Sequence, residues 1–363
     1  MKASLVLQTT LVFLFVFSCA LPRKPEKAKA FKEAYQVNDY GIQLGVNNDT
    51  VLKVTYTGCG GLILDYDGEV VMVDPFFSNK KLGRLAISEV FGAKNLRSDI
   101  TTIENGIDSA RVRGQFNNTK AVLIAHSHYD HLLDIPYLES EYFKKTAAQY
   151  FCSKSTGLAL ANIITDDSRF TYLCNTLSDQ WTEGNWLKIS DRIKLLPVKS
   201  SHAPHFARMS FMNGHIHEPV EGLENAQSST SLRDWNVGDT YAFLLEFEAK
   251  PKPLRVYIAS SSAKPPDGIP NKKWIDQNPV DLAFICYASS GQVADYPVRL
   301  LNEIKPKKVV LFHWEDFFDD YDKEEKMVKV TLRGKFRRRI EKAGYSWDNI
   351  TMPKKGVTAH ITL

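Results

Sequence analysis

Three histidines and an aspartate within six residues are the feature that most restricts what this chain can fold into. They occur in the segment HSHYDH at 126–131, directly after the apolar run KAVLIA at 120–125. Core packing does not explain such a cluster, because ionisable side chains are rarely buried without partners. A strand that ends in a tight turn can present imidazoles and carboxylates to metal ions. The segment therefore predicts a metal centre at a strand end, with His126 and His128 at one ion and Asp130 and His131 at a second.

The remaining chain alternates between short apolar runs and helical patterns. The apolar runs predict strands at 51–57, 61–66, 69–74, 120–125, 148–153, 193–198, 240–248, 254–260, 281–287, 307–313 and 357–362. Helical patterns lie at about 134–145, 155–164, 293–304 and 322–343. This order predicts an α/β fold with two mixed β-sheets flanked by helices. Two long polar insertions, 78–119 and 203–238, are expected to be functional lids or mobile loops.

Two more histidines stand where an apolar strand meets polar sequence. His202 follows IKLLPVKSS, and His313 closes KKVVLFH. Five of the nine histidines in the chain therefore fall at predicted strand ends. This placement makes both residues candidates for the same metal centre.

These features together resemble the metallo-β-lactamase superfamily of metal-dependent hydrolases. The resemblance rests on HSHYDH, on the two later strand-end histidines and on VVMVDP at 70–75. Within that superfamily, VTYTGCGGLILDYDGEVVMVDPFFS and IKPKKVVLFHWEDFF are most similar to the branch of lactonases and N-acyl-phosphatidylethanolamine phospholipase D. The resemblance implies an αββα sandwich over residues 46–363 with a dinuclear zinc site along one edge.

The resemblance also implies a role for each candidate site residue. Asp74 would orient a ligand histidine through a hydrogen bond. The implied ligands are, for the first ion, His126, His128 and His202 and, for the second, Asp130, His131 and His313.

One position departs from the pattern of these hydrolases. Most of them bridge the two metals with an aspartate after a strand that ends in small residues, whereas this chain reads Ala259-Ser260-Ser261-Ser262 there. Ser261 takes the expected place, and a hydroxyl bridges metals less well than a carboxylate does. Three protein ligands per ion plus a shared hydroxide still complete the four-fold coordination that zinc accepts.

The implied activity is that of a hydrolase for an ester, lactone, amide or phosphodiester in a small-molecule or lipid-like substrate. Zinc lowers the pKa of bound water to about 7 and so supplies a hydroxide nucleophile. Asp130 would orient this nucleophile, and His205 could donate a hydrogen bond to the substrate or leaving group. Two alternatives stay open. A subclass of true metallo-β-lactamases also has serine at the bridging position, and loss of the bridge could leave a non-catalytic metal- or ligand-binding lipoprotein.

The first residues are typical of an export signal. Residues 1–19 combine a basic start with the apolar run LVFLFVF, and Val16-Phe17-Ser18-Cys19 resembles a bacterial lipobox. Lipidation of Cys19, followed by a polar tether at 20–45, predicts a lipoprotein anchored to a membrane of the cell envelope. The alternative is cleavage after Ala20, which would release a periplasmic or secreted soluble protein.

Charge and cysteine content limit the remaining function classes. With 46 Lys and Arg against 42 Asp and Glu, the net charge is only +4, so no nucleic-acid partner is expected. Export would permit a disulfide, and Cys152 and Cys174 are the candidate pair.

Overall fold

The computed structural model of the protein describes residues 51–176, 185–205, 211–225, 227–328, 331 and 333–362. The predicted signal peptide and tether, with Cys19 and Ala20, lie outside the described residues. Among the described residues, no helix is both long enough and apolar enough to cross a membrane.

The first sheet has seven strands in the order β13-β1-β2-β3-β4-β5-β6. Their bounds are β1 Val51–Gly58, β2 Gly61–Tyr66, β3 Glu69–Val73, β4 Thr119–Leu123, β5 Gln149–Cys152, β6 Phe170–Tyr172 and β13 Thr358–Thr362. Pairing is antiparallel from β13 to β3 and parallel from β3 to β6.

The second sheet has six strands in the order β12-β11-β10-β9-β8-β7. Their bounds are β7 Leu187–Lys188, β8 Ile193–Ser200, β9 Thr240–Phe247, β10 Leu254–Ala259, β11 Leu282–Cys286 and β12 Lys308–Phe312. The pairs among β10, β11 and β12 are parallel, and the other pairs are antiparallel. The α/β fold with two mixed sheets is therefore confirmed. β6 and β7 were not predicted, because runs of three and two residues carry no period of their own.

The two sheets pack face to face. Tyr66 of β2 contacts Phe247 of β9, with ring centroids 5.4 Å apart. Every residue of β2, β10 and β11 is buried, so both faces of these strands are covered. Continuous apolar runs such as GLIL and LAFIC suit that position, because neither face of the strand meets water.

Helices pack against the sheets and occupy the connections between strands. The α-helices are α1 Leu82–Phe91, α2 Ile100–Ser109, α3 Arg113–Phe116, α4 Tyr129–Leu132, α5 Ile135–Leu138, α6 Lys144–Thr146, α7 Lys154–Leu160, α8 Lys272–Gln277, α9 Val298–Ile304 and α10 Arg333–Lys342. One π-helical turn spans Glu139–Phe143, and 3₁₀ turns span Asp167–Arg169, Leu173–Thr176, Leu232–Asp234, Ser290–Gln292 and Trp347–Asn349.

The prediction of a loop at 78–119 is wrong, because α1, α2 and α3 all lie within it. Helix α2 buries Ile103 and Ile107, four residues apart, and its otherwise polar sequence hides this apolar stripe. The described parts of the second insertion, 203–238, contain one 3₁₀ turn and are otherwise mostly irregular, as expected of a loop.

The helix predicted at 322–343 is too long, since α10 begins at Arg333. The segment before it instead pairs with the chain after β12. The Asp316 N–H donates to the Lys326 carbonyl at 2.6 Å, and Glu315 and Met327 form an isolated β-bridge.

The four cysteines that the structure describes are free thiols: Cys59, Cys152, Cys174 and Cys286. The candidate disulfide between Cys152 and Cys174 is therefore not formed in this structure.

Strand ends from both sheets converge at one edge. The Ser260 hydroxyl, just after β10, donates to the Asp74 carboxylate, just after β3, at 2.6 Å. The Tyr241 N–H at the start of β9 donates to the Ala125 carbonyl after β4 at 2.9 Å. These two bonds join the sheets where the predicted site residues stand.

Candidate metal centre

The structure brings three of the predicted site residues into one cluster, the first imidazole cluster, formed by His126, His128 and His202. Their ring centroids are 4.6–4.8 Å apart, and one nitrogen from each lies within 4.8 Å of the others. His126 and His128 follow β4 in a turn whose Ser127 N–H donates to the Val237 carbonyl at 3.0 Å. His202 arrives from the end of β8, so both sheets contribute to the cluster.

Three of the ring nitrogens of this cluster lack protein partners. Both ring nitrogens of His126 and Nε2 of His128 are buried without any hydrogen bond. Buried polar atoms are normally satisfied, and an unsatisfied one calls for an explanation such as an ion. Three imidazole nitrogens that converge on one point are a donor set that zinc commonly accepts. The residues present therefore fit a metal ion.

The electrostatics of the cluster keep its imidazoles neutral. Burial, together with neighbouring histidines, holds the pKa of His126 and of His202 well below the usual range. Burial, with a smaller contribution from His205, lowers the pKa of His128 to about 3. A metal ligand must be the neutral imidazole, so the cluster is in its ligating form at neutral pH.

A second group lies beside the first and contains Cys59, Asp130 and His313. His313 Nε2 is 3.5 Å from Asp130 Oδ2, and the Cys59 Sγ is 3.4 Å from each of these two atoms. His131 borders the group, with Nε2 3.9 Å from Asp130 Oδ2 and its ring 4.0 Å from that of His126. The predicted residues Asp130, His131 and His313 are thus neighbours in space, and Cys59 joins them.

Asp130 stays ionised despite its burial. Burial by itself would raise the pKa of this carboxyl, but His131 and His313 lower it by more, so it lies well below its usual range. For His131, burial lowers the pKa while the carboxylates of Asp74 and Asp130 raise it, and the net shift is upward. A carboxylate between these rings can therefore act as an acceptor or as a ligand.

Asp74 lies where the sequence predicts a group that orients a ligand histidine. Its Oδ2 is 3.0 Å from Nδ1 of His131, and its Oδ1 accepts the Ala125 N–H at 2.8 Å. The Ser260 hydroxyl donates to the same Oδ2. This arrangement fixes the His131 ring and leaves Nε2 turned toward Asp130. Ser260 was not singled out from the sequence, because nothing in a run of three serines distinguishes one hydroxyl from the next.

Ser261 and His205 lie at the margin of the first imidazole cluster. The Ser261 hydroxyl accepts the Ala203 N–H at 3.3 Å and so ties the end of β10 to the loop that carries His202. The His205 ring is 5.2 Å from that of His128 and 4.8 Å from that of His202. Its Nδ1 accepts the Phe211 N–H at 3.2 Å, which leaves Nε2 as the nitrogen that can donate.

Cys59 was missed by sequence reasoning, which considered cysteines only as a lipidation site or as disulfide partners. Glu315 holds the turn that carries it: this buried carboxylate accepts both the Cys59 N–H and the Tyr56 hydroxyl. The His313 N–H in turn donates to the Tyr56 oxygen at 3.1 Å. The one available signal was the GCGG sequence of the β1–β2 turn, which places a cysteine among glycines.

No protein-family model matches the chain, and no curated protein is found that is similar to it. Among solved structures, Igni18, a metallo hydrolase from the archaeon Ignicoccus hospitalis, has a TM-score of 0.48 and 16% identity over 86% of this chain and 100% of that one. Unliganded yeast PDE1 has a TM-score of 0.47 and 10% identity over 85% and 99%. The metallo-β-lactamase fold protein YhfI from Bacillus subtilis has a TM-score of 0.40 and 12% identity over 86% and 100%. Similarity this low transfers no activity or substrate to this chain.

Proposed function

We propose that this protein is a metal-dependent hydrolase of the metallo-β-lactamase fold with a dinuclear metal centre. One observation carries the proposal: buried, unpartnered imidazole nitrogens of the first cluster stand next to a second group of metal-ligating side chains. A buried set of this kind has no structural use, since burying polar atoms without partners destabilises the fold. It is explained if ions occupy both groups.

Six side chains of this protein would hold the two ions of such a centre. His126, His128 and His202 hold the first ion, while Asp130, His131 and His313 hold the second. When bound, such ions lower the pKa of water and polarise a carbonyl or phosphoryl oxygen.

Around the ions, the chain orients the reacting groups. Asp130 remains ionised, so its carboxylate can accept a hydrogen bond from the attacking water and fix its direction. Asp74 keeps His131 in one orientation. His205 stands beside the first imidazole cluster, where Nε2 can donate to a leaving group or to the substrate.

The substrate class that fits this chemistry is an ester, lactone, amide or phosphodiester. Within that class we favour the lactonase and N-acyl-phosphatidylethanolamine phospholipase D branch, because the hairpin sequence and the HWEDF context of His313 are similar to it. Two zinc ions are the proposed metal content, since neutral imidazoles dominate the donor set. β-Lactams are a second candidate substrate class. Ser261 stands in place of the bridging carboxylate at the end of β10, as a serine does in a subclass of true metallo-β-lactamases.

A hydrolysis screen with and without a chelator tests the proposal. The purified chain is assayed on lactones, β-lactams, aryl esters and phosphodiesters, and its metal content is measured by elemental analysis. We expect turnover that the chelator abolishes and that zinc restores. Asp130→Asn should lose this activity while it keeps the circular dichroism spectrum, and the exposed Asp191→Asn is the matched control. Metal-free protein with no turnover on any substrate would support the non-catalytic alternative instead.

We further propose that the chain is exported and anchored through a lipid on Cys19. The lipobox-like sequence and the Lys-rich tether support this placement. Mass spectrometry of the mature protein from a bacterial host tests it. A diacylated Cys19 at the new amino terminus is expected, whereas an unmodified Leu21 terminus would indicate cleavage after Ala20.

A further inference from the structure

We propose that Cys59 is a thiolate ligand of the second metal ion, alongside Asp130 and His313. This inference rests on the proposed metal centre and adds to it a ligand that the HSHYDH pattern does not contain. Three observations support it: the position of the Cys59 Sγ, the left-handed backbone conformation of Cys59, and the lack of a bridging carboxylate at the end of β10.

The three candidate ligand atoms form a triangle of the size that one ion requires. The Sγ of Cys59 lies 3.4 Å from Asp130 Oδ2 and 3.4 Å from His313 Nε2, and those two atoms are 3.5 Å apart. Tetrahedral zinc with bonds of about 2.3 Å to sulfur and about 2.0–2.1 Å to nitrogen and oxygen separates its ligands by roughly 3.3–3.6 Å. All three sides of the triangle fall in this interval. His131 lies outside this triangle, with its Nε2 3.9 Å from Asp130 Oδ2.

The backbone at Cys59 is strained in a way that favours glycine. Its φ is 53°, in the left-handed region, although Gly58 and Gly60 are its direct neighbours. An L-residue in this region has its Cβ close to the following carbonyl oxygen, a steric contact that glycine avoids. Glu315 holds the conformation by accepting the Cys59 N–H. The strained backbone conformation is best explained if the Cys59 side chain, which points toward two other candidate ligands, has a function.

Gly60 and Gly61 allow the turn to come this close to the metal centre. A Cβ on Gly60 would stand 3.0 Å from the His131 ring, and one on Gly61 would stand 2.0 Å from the Thr57 hydroxyl. Gly60 therefore lets the turn lie directly against His131, and Gly61 lets the turn close on Thr57. Cys59 is the residue of this turn that reaches the ligand triangle.

The thiolate would supply the anionic ligand that the end of β10 lacks. Ser261, which stands where a bridging carboxylate is expected, uses its hydroxyl to accept the Ala203 N–H. Cys59 approaches from the other sheet, where its thiol donates to Asp130 Oδ2 at 3.4 Å; as a metal-bound thiolate it would add a second negative charge beside Asp130. On binding, the S–H bond breaks, its electron pair forms the sulfur–metal bond, and the proton leaves to solvent. A soft sulfur ligand selects zinc or cobalt over magnesium or manganese.

Cobalt substitution of the full chain tests the proposal without using enzymatic activity. The protein is stripped with a chelator, loaded with Co²⁺, and examined for a thiolate-to-cobalt charge-transfer band in the near ultraviolet. We expect the band in the wild type and in Cys152→Ser, whose buried thiol lies on β5 outside the site. Cys59→Ser and Cys59→Gly should lack it and bind the second ion at least about tenfold more weakly. Cys59→Gly relaxes the left-handed backbone, so it keeps the test valid if the serine variant does not fold.

The outcomes separate this inference from the function on which it rests. Two cobalt ions without a charge-transfer band, or an equal band in both Cys59 variants, would overturn the ligand role and leave the hydrolase intact. A wild-type protein that binds no cobalt would overturn both proposals. A band that disappears in both Cys59 variants, with loss of one of two tightly bound ions, supports the thiolate ligand.

Discussion

Replacing Asp74 with asparagine tests whether the centre depends on a carboxylate behind His131. The side chain is completely buried, and its two oxygens receive the Ala125 N–H and the Ser260 hydroxyl, with His131 Nδ1 at 3.0 Å. Asparagine has nearly the same shape but brings an NH₂ group. In one orientation this group faces the Ala125 N–H, and in the other it faces His131.

The second orientation forces a change of tautomer. If Nδ1 of His131 must accept, the ring proton moves to Nε2, which is the nitrogen that lies 3.9 Å from Asp130 and would bind the ion. Loss of such a supporting carboxylate typically weakens metal binding by about 10–100-fold, or about 1.4–2.8 kcal/mol. The amide also weakens the charge-assisted hydrogen bonds that the carboxylate accepts from the Ala125 N–H and the Ser260 hydroxyl, which should lower the free energy of unfolding of the metal-free protein by about 1.5–3 kcal/mol.

Competition with a chromophoric chelator measures the affinity, and urea unfolding measures the stability. Asp281→Asn is the matched control, because this buried carboxylate accepts the Arg255 N–H at 2.9 Å in the second sheet, away from the centre. It should lower stability without changing the metal affinity. A metal affinity of Asp74→Asn equal to that of the wild type would refute the positioning role of Asp74.

Two other predictions concern stability. Arg169→Met leaves the buried Glu139 carboxylate without the guanidinium that donates to it, and should lower the free energy of unfolding in urea by about 3–5 kcal/mol. Arg192→Met, which breaks a pair with the exposed Asp67, should lower it by about 1 kcal/mol or less, and similar losses in both variants would contradict the reasoning. The second prediction concerns the pH dependence of the stability of the metal-free protein. Burial lowers the pKa of His128 from 6.5 to about 3 in the folded protein. Between these pH values the unfolded chain binds a proton at this residue and the folded chain does not, so the metal-free protein should lose stability as the pH falls from about 6.5 to about 3. The urea midpoint measured across this range checks it, and a midpoint that rises on acidification would contradict the prediction.

The strands were predictable because a strand that is buried on both faces requires a continuous run of apolar residues. The runs GLIL of β2 and LAFIC of β11 occupy central strands, and they are apolar throughout because both faces of each strand are covered. The helices of 78–119 could not be predicted in the same way. Their buried side chains are few, and the polar residues between them make the segment resemble a loop.

Several candidate site residues were predictable because their signal is local. HSHYDH sets four candidate ligands within six positions, and strand ends mark His202 and His313. The structure brings these residues together at one edge, where the carboxyl ends of β4, β8 and β12 meet. Their roles as ligands stay predictions until a metal is measured.

By itself, the sequence determined the two mixed sheets and the strand-end histidines, since hydrophobic periodicity and chemically unusual clusters are properties of consecutive residues. Tertiary structure alone decided which distant groups complete the centre. Cys59 meets Asp130 and His313 across separations of 71 and 254 residues, and Ser260 meets Asp74 across 186. Such contacts depend on strand register, on how the two sheets pack and on a left-handed turn held by Glu315. None of these features can be read from the periodicity of the sequence.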